Sequence, residues 1–172
     1  MRPLLAYALH SGNLYGTERM GLETAAGLAG EFDPVILAPE GPALAEARQR
    51  GFEAIPFGNA RDVAAALWRL LGPRRPVAFF ATGLVHSAAF LAVNAVRRRP
   101  AAHLHVVHGG TDERLSYGRK KLLNRAPGFL VAVSSFVKDR LVAHGVDPRK
   151  VRVVENFVPD SLAATCPKRA VP

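Results

Sequence analysis

Cysteine, long apolar runs and acidic residues are all scarce in this sequence, and each shortage excludes a class of protein. The single cysteine, Cys166, cannot form an internal disulfide, so a disulfide-stapled fold is excluded and a cytoplasmic location is favoured. No apolar run reaches the length of a bilayer span. The apolar start, MRPLLAYALH, lacks the charged region and cleavage site of a signal peptide, and we interpret it as a first strand.

The shortage of acidic residues gives the chain a strong positive charge. Lys and Arg number 23 against 14 Asp and Glu, which leaves a net charge of +9, and arginine dominates. This excess favours anionic partners such as phosphorylated ligands or an acidic membrane surface, and a merely well-solvated basic surface is the alternative. Aromatic residues make up only 8% and no RNA- or DNA-binding motif is present, so nucleic acid is not expected as a partner.

Several catalytic motifs are also missing. There is no G-x-S-x-G elbow, no cysteine–histidine nucleophile pair with a supporting acid, and no cysteine-based zinc spacing. The first loop has neither the G-x-G-x-x-G spacing of dinucleotide-binding proteins nor the G-K-[ST] ending of a P-loop. Nicotinamide cofactors and ATP hydrolysis are therefore disfavoured.

Apolar segments of strand length alternate with helix-length segments along the chain, and 172 residues suffice for one domain with its own core. Helical connections predict parallel strands, and right-handed crossovers then place helices on both faces. We therefore expect a Rossmann-like, doubly wound α/β domain over residues 1–158, with a linker or tail over 159–172. The predicted strands are Leu4–Leu9, Pro34–Ala38, Ala54–Phe57, Pro76–Ala81, His103–His108, Phe129–Val133 and Val151–Val154.

The loop after the first predicted strand, HSGNLYGTERM, has the composition of an anion site. Gly12 and Gly16 flank it, and Glu18 opens the predicted helix that follows. A glycine loop that runs into a helix N-terminus presents free backbone N–H groups and the positive end of the helix dipole, which suits phosphate. A plain strand-to-helix turn, in which Glu18 complements the dipole, is the alternative.

Histidines cluster where predicted strands end. His108 ends the fifth strand and is followed by Gly109, which allows a ligand to approach the backbone closely, and His10 and His86 follow the first and fourth strands. Because ligands of such sheets bind at the carboxyl ends of the strands, these residues are candidates for one crevice. In HLHVVH, a metal site is the less favoured interpretation, and we expect His103 and His105 to hydrogen-bond locally within the sheet.

Two further segments carry candidate residues. Ser134 stands where a helix follows the sixth strand, so it is either an N-cap or a cleft residue, and Asn156 ends the last strand. The stretch RLSYGRKKLLNR, residues 114–125, predicts one basic amphipathic helix that either packs on the sheet or lies on an anionic membrane surface. The membrane-surface candidates are Arg119, Lys120, Lys121 and Arg125.

The segment 128–156 resembles a known family. Its pattern V-S-x-x-V-K-D-x-L-x-x-x-G-V, followed by K-V-x-V-V-x-N, is similar to the end of the N-terminal domain of family 4 glycosyltransferases, retaining enzymes of the GT-B fold. The loop Tyr15–Gly16–Thr17–Glu18 resembles the G-G-x-E loop of that family, with Tyr15 in place of the first glycine. The resemblance extends over roughly residues 4–160.

The resemblance implies a function and a set of partners. It implies sugar transfer from a nucleotide diphosphate sugar to an acceptor, either a small molecule, a glycan or a lipid, without a required metal or other cofactor. This half would bind the acceptor, Gly16 would approach the donor diphosphate, His108 would orient a reacting hydroxyl, and Asn156 would line the interdomain cleft. The donor site would lie in a C-terminal domain or a partner chain, so residues 1–172 alone are expected to be inactive. The alternative is a non-catalytic binding module or a subunit of a split transferase at an anionic membrane surface.

Overall fold

The computed structural model describes residues 2–72, 75–110 and 112–157. Within them, seven strands form one sheet with the order β3-β2-β1-β4-β5-β6-β7, and all six pairings are parallel. The strands are β1 Leu4–Ala8, β2 Asp33–Ala38, β3 Glu53–Pro56, β4 Val77–Ala81, β5 Ala101–Val107, β6 Phe129–Ala132 and β7 Val151–Val153. The predicted Rossmann-like parallel sheet is confirmed, while the predicted tail 159–172 and Cys166 lie outside the described residues.

Helices connect the strands and pack on both faces of the sheet. They are α1 Gly16–Leu28, α2 Pro42–Gln49, α3 Ala60–Leu70, α4 Leu84–Arg97, α5 Glu113–Ser116 and α6 Ser135–Ala143, with 3₁₀ helices at Gly118–Leu123 and Pro148–Lys150. Alternate residues of β1 point to opposite faces, as strand geometry requires. Leu4 and Ala6 pack in a cluster with α3 and α4, whereas Leu5 and Tyr7 pack in a cluster with α1 and α2.

The strand order reverses between β1 and β4, the two central neighbours. β1 is followed by α1 and leads to β2 on one side, whereas β4 is followed by α4 and leads to β5 on the other. The loops after β1 and β4 therefore diverge to opposite faces and leave a crevice at the carboxyl edge of the sheet. This switch point sets the place of the candidate site.

The prediction of one basic amphipathic helix over 114–125 is wrong. The segment forms the single helical turn α5 and then a 3₁₀ helix, with a break at Tyr117. Tyr117 is buried, and its hydroxyl lies close to Gly109, so the segment is anchored under the loop that follows β5. This tertiary contact outweighs the helical periodicity of the basic residues. Among the described residues, no helix combines the length and apolarity that crossing a membrane requires.

Candidate functional site

The loops after β1, β4 and β5 meet at the switch point and enclose a polar cleft of about 260 Å³. The backbone N–H of His10 donates to the Thr82 hydroxyl at 3.0 Å, and the His10 ring Nδ1 lies 3.1 Å from the same oxygen. These contacts tie the β1 loop to the β4 loop across the reversal of strand order. The cleft is lined by His10, Thr17, Thr82, Gly83, Val106, Val107, His108, Gly109, Leu115, Ser116 and Lys120.

His108 is the imidazole at the centre of this arrangement, because it lines both the polar cleft and an apolar groove beside it. Its Nε2 is buried and has no hydrogen-bond partner among the described residues. Burial, together with the nearby His10, lowers the pKa of His108 to about 4, so the ring is neutral at physiological pH. A neutral imidazole can both donate and accept a hydrogen bond, which suits it to hold a hydroxyl group.

Gly109 follows His108 in a backbone conformation that favours glycine. Its φ is +97°, and a Cβ at this position would lie 3.3 Å from the Tyr117 hydroxyl. The left-handed conformation turns the chain away from β5 and leaves the backbone of this loop on the cleft wall.

The N-terminus of α1 forms another wall. The helix begins at Gly16, two residues before the expected Glu18, and Tyr15 is its N-cap without a side-chain hydrogen bond. No atom lies within 4 Å of the place that a Gly16 Cβ would occupy, and Thr17 lines the cleft. The first turn of α1 therefore has uncapped N–H groups beside the cleft, while the Tyr15 ring is exposed.

Glu18 lies beneath this turn and not in the solvent. Its carboxylate is buried, and Oε1 lies 3.5 Å from His10 Nδ1 without a hydrogen-bond partner among the described residues. Burial, with a contribution from the Glu18 charge, raises the pKa of Tyr7 well above its ordinary value. Of the residues near Glu18, His10 lines the polar cleft and Tyr7 lines the apolar groove.

His86 lies in the first turn of α4, which begins at Leu84. It is 8% exposed, its Nδ1 has no partner among the described residues, and its ring packs edge-on against Phe57. Burial and the nearby His10 lower the pKa of His86 to about 4. His86 borders a recess next to the polar cleft and does not line the cleft itself.

Three predicted residues lie away from the polar cleft. Gly12 packs so tightly on the β2–α2 loop that a Cβ would lie 2.6 Å from the Glu40 carbonyl oxygen. Ser134 caps α6 by accepting a hydrogen bond from the Val137 N–H at 3.2 Å. Asn156 lines the apolar groove of about 280 Å³ that runs along β5 and β6, which shares Val106 and His108 with the cleft.

The basic residues are spread over more than one concavity. Lys120 lines the polar cleft, Arg119 lines both the recess beside it and a further concavity that includes His144, and Lys121 lines that further concavity. Arg125 is exposed in the turn before β6. Sequence reasoning placed all four on one helix, as candidates for a membrane-facing surface, because it did not foresee the break at Tyr117.

His103 and His105 behave as expected for histidines inside a sheet. His103 Nε2 and His105 Nδ1 lie 3.0 Å and 2.9 Å from the same Ser87 hydroxyl. Burial lowers the pKa of both rings. No group of three potential metal ligands occurs among residues 2–72, 75–110 and 112–157.

Sequence reasoning did not name Thr82 or Ser116 as site residues. The strand-end rule does select the loop that begins at Thr82, because this residue follows β4 directly. Ser116 had no such signal, because its place depends on the short helix α5 and the fold of the segment behind it.

The fold has solved counterparts that are about twice as long. A glycosyltransferase from Rickettsia africae is 20% identical, with a TM-score of 0.66, over 99% of this chain and 50% of its own. Alr3699/HepE from Anabaena, solved in complex with UDP and glucose, is 13% identical, with a TM-score of 0.73, over 95% of this chain and 49% of its own. A UDP-N-acetylglucosamine 2-epimerase from Rickettsia bellii is 13% identical, with a TM-score of 0.57, over 97% and 48%. The chain thus spans about half the length of these structures.

No curated protein matches the sequence significantly. The model of Glycosyltransferase Family 4 matches residues 15–162, which include α1, His108 and the segment from β6 through α6 to β7. This match covers most of the chain and agrees with the Rossmann-like fold of the solved GT-B counterparts. The chain belongs to Glycosyltransferase Family 4.

Proposed function

We propose that this chain is the acceptor-binding half of a retaining glycosyltransferase that moves a sugar, of hexose type, from a nucleotide diphosphate sugar to an acceptor hydroxyl. One observation carries the proposal: the loops after β1, β4 and β5 converge at the switch point around the buried, unpartnered Nε2 of His108. Family membership supplies the reaction class. The structure of HepE with UDP and glucose supports a nucleotide sugar as the donor type.

The N-terminus of α1 is suited to the leaving diphosphate. Negative charge grows on the diphosphate as the glycosidic bond breaks, and uncapped N–H groups at Gly16 and Thr17 stabilise such charge without titrating. The open space beside Gly16 allows a phosphate to approach the backbone. The buried Glu18 carboxyl group would disfavour a phosphate close to it. His10, whose Nδ1 lies 3.5 Å from Glu18 Oε1, would stand between this carboxyl group and the phosphate.

His108 is suited to position the acceptor. With a pKa of about 4, its imidazole is too weak a base to remove a proton from a hydroxyl at neutral pH. It can still accept a hydrogen bond from the acceptor hydroxyl through Nε2 and fix the direction of attack on the sugar carbon. The positioned attack, and not proton abstraction, is the contribution that we assign to His108.

The other half of the enzyme completes the donor site. We propose that a C-terminal domain or a partner chain binds the nucleotide, because this chain spans only about half the length of the solved structures that it resembles. The isolated chain would then lack transferase activity, and the whole enzyme would work in the cytoplasm on a glycan, a small molecule or a lipid at the inner membrane surface. We propose no metal and no organic cofactor.

A transfer assay tests this proposal. The chain, joined to or mixed with the donor-binding half, is offered a panel of nucleotide diphosphate sugars and acceptor fractions, and glycosylated product is detected by mass spectrometry. We expect product from the combined halves and none from residues 1–172 alone. Robust transfer by the isolated chain, or no transfer with any donor, would contradict the proposal.

A membrane-bound binding module is the second candidate, and one surface favours it. Leu122 is 69% exposed and stands between the exposed Lys121 and the exposed Arg125, a combination that suits an anionic lipid surface. Vesicle co-sedimentation with and without anionic lipid tests this role. Salt-sensitive binding that is lost in Leu122→Ser would support it, and binding that is independent of lipid charge would contradict it.

A further inference from the structure

A recess of about 260 Å³ adjoins the polar cleft, and its lining overlaps only in part with that of the cleft. It shares four lining residues with the cleft, His10, Gly83, Leu115 and Lys120, but it excludes Thr17 and His108. Its own lining is the first three residues of α4, Leu84 to His86, together with Arg119. We call it the α4 recess.

The N-terminus of α4 gives the recess a positive end without a compensating group. The cap residue Gly83 has no side chain that could accept from the first N–H groups, and the first turn of this 14-residue helix has no acidic residue. The helix dipole and the uncapped N–H groups therefore favour an anion here.

His86 is the second, independent indication of a ligand. The side chain is 8% exposed, yet Nδ1 makes no hydrogen bond to any described residue. That nitrogen lies at the helix cap, only 2.9 Å from where a Cβ on Gly83 would be. Buried polar nitrogens are nearly always hydrogen-bonded, so an unpartnered one at the wall of a recess points to a ligand atom.

Two cations complete the recess. Lys120 and Arg119 are neighbours on its wall, and neither forms an ion pair of 4 Å or less with a described carboxylate. Burial and the adjacent Arg119 lower the pKa of Lys120, which is the direction expected for a cation held without a counter-charge. An anion between these groups would relieve their mutual repulsion.

We propose that the α4 recess binds a phosphate group carried by the acceptor substrate. The assignment to the acceptor rests on the proposed transferase function: the recess lacks Thr17 and His108, so it lies beside the reacting centre and not at the α1 terminus that we assign to the donor. A remote phosphate that is held there would anchor the acceptor and direct its hydroxyl toward His108.

Phosphate titrations of the 172-residue chain test the site itself. Inorganic phosphate and a hexose 6-phosphate are added while the imidazole resonances of His86 are followed by NMR, in the native chain, in Lys120→Met and in Lys121→Met. Lys121 is the matched control, because it carries the same charge in the same segment but lines another concavity. We expect both ligands to shift the His86 resonances, with affinity about tenfold weaker or more in Lys120→Met and changed less than about twofold in Lys121→Met.

Absence of a His86 shift in the native chain, or equal losses in the two lysine variants, would overturn the site. Circular dichroism checks that Lys120→Met is folded. If this variant does not fold, Arg119→Gln takes its place, because it should also weaken phosphate binding. These titrations measure phosphate binding and require no sugar transfer, so their outcome does not depend on the proposed transferase function.

A further measurement separates the two sources of phosphate. The KM values for donor and acceptor are determined for the assembled enzyme and for its Arg119→Gln variant, because Arg119 lines the recess but not the cleft. We expect Arg119→Gln to leave the donor KM unchanged and to raise the KM of a phosphate-bearing acceptor about tenfold. A raised donor KM with an unchanged acceptor KM would assign the recess to the donor and overturn the proposal.

Discussion

Acid should destabilise this fold through its buried histidines, and His86 allows the effect to be isolated. Its pKa is 6.5 in the unfolded chain and about 4 in the folded one, because burial and the nearby His10 disfavour the charged ring. The unfolded state therefore takes up a proton first as the pH falls. Stability is complete above pH 6.5, declines through the window from 6.5 to about 4, and is level below it.

The size of the effect follows from these two pKa values. At about 1.36 kcal/mol per pKa unit, His86 alone removes about 2 kcal/mol of stability between pH 7.5 and pH 5, and about 3 kcal/mol once titration is complete. His108 has the same direction of shift and the same folded value of about 4, so it adds a similar amount. Buried His103 and His105 act in the same direction.

Urea unfolding at a series of pH values measures this loss. His86→Gln removes one titrating group at the position, so the decline in unfolding free energy between pH 7.5 and pH 5 should be about 2 kcal/mol smaller than in the native chain. NMR titration of the native His86 ring should give a midpoint near 4. An unchanged pH dependence in His86→Gln, or a ring midpoint near 6.5, would refute the reasoning.

Three substitutions test the architecture around the site by urea unfolding. Gly109→Ala forces a side chain into a φ of +97° and should lower the free energy of unfolding by about 1–2 kcal/mol. The control Gly30→Ala, which has open space and no positive φ, should change it by less than about 0.5 kcal/mol. Equal effects of the two substitutions would exclude backbone strain at Gly109. Ser87→Ala removes the hydroxyl that both buried imidazoles of β5 contact and should cost about 1–3 kcal/mol, and a neutral result would mean that these contacts do not stabilise the fold. Ser134→Ala removes the α6 cap and should cost about 1 kcal/mol, whereas no loss would argue against capping.

Periodicity and strand–helix alternation were sufficient to predict the sheet. Strand β1 is apolar on both faces, which is typical of parallel sheets, and each crossover has helical length. The predicted helix over 114–125 does not form as one element. Its basic and apolar residues repeat with a helical period, but the helix breaks at Tyr117, beside Gly118, where Tyr117 is buried beneath Gly109.

The candidate site was predictable only in part. The rule that ligands bind at strand ends located His10 and His108 on one cleft, because both directly follow strands that are neighbours of the switch point. The place of Lys120 could not be predicted, since it depends on the break that turns this lysine toward the cleft. Gly12 looked like part of an anion loop, and only the tertiary structure shows it packed against the backbone of the β2–α2 loop.

The most direct test of the central claim is sugar transfer by the assembled enzyme with His108→Gln, compared with His144→Gln. His144 hydrogen-bonds Glu113 and lines a concavity away from the cleft, so it controls for the loss of an imidazole. We predict that His108→Gln lowers kcat by about 100-fold or more, as expected when a positioned group is lost, while His144→Gln stays within about twofold. Equal transfer rates for the native enzyme and His108→Gln would contradict the assignment of this cleft as the site of sugar transfer.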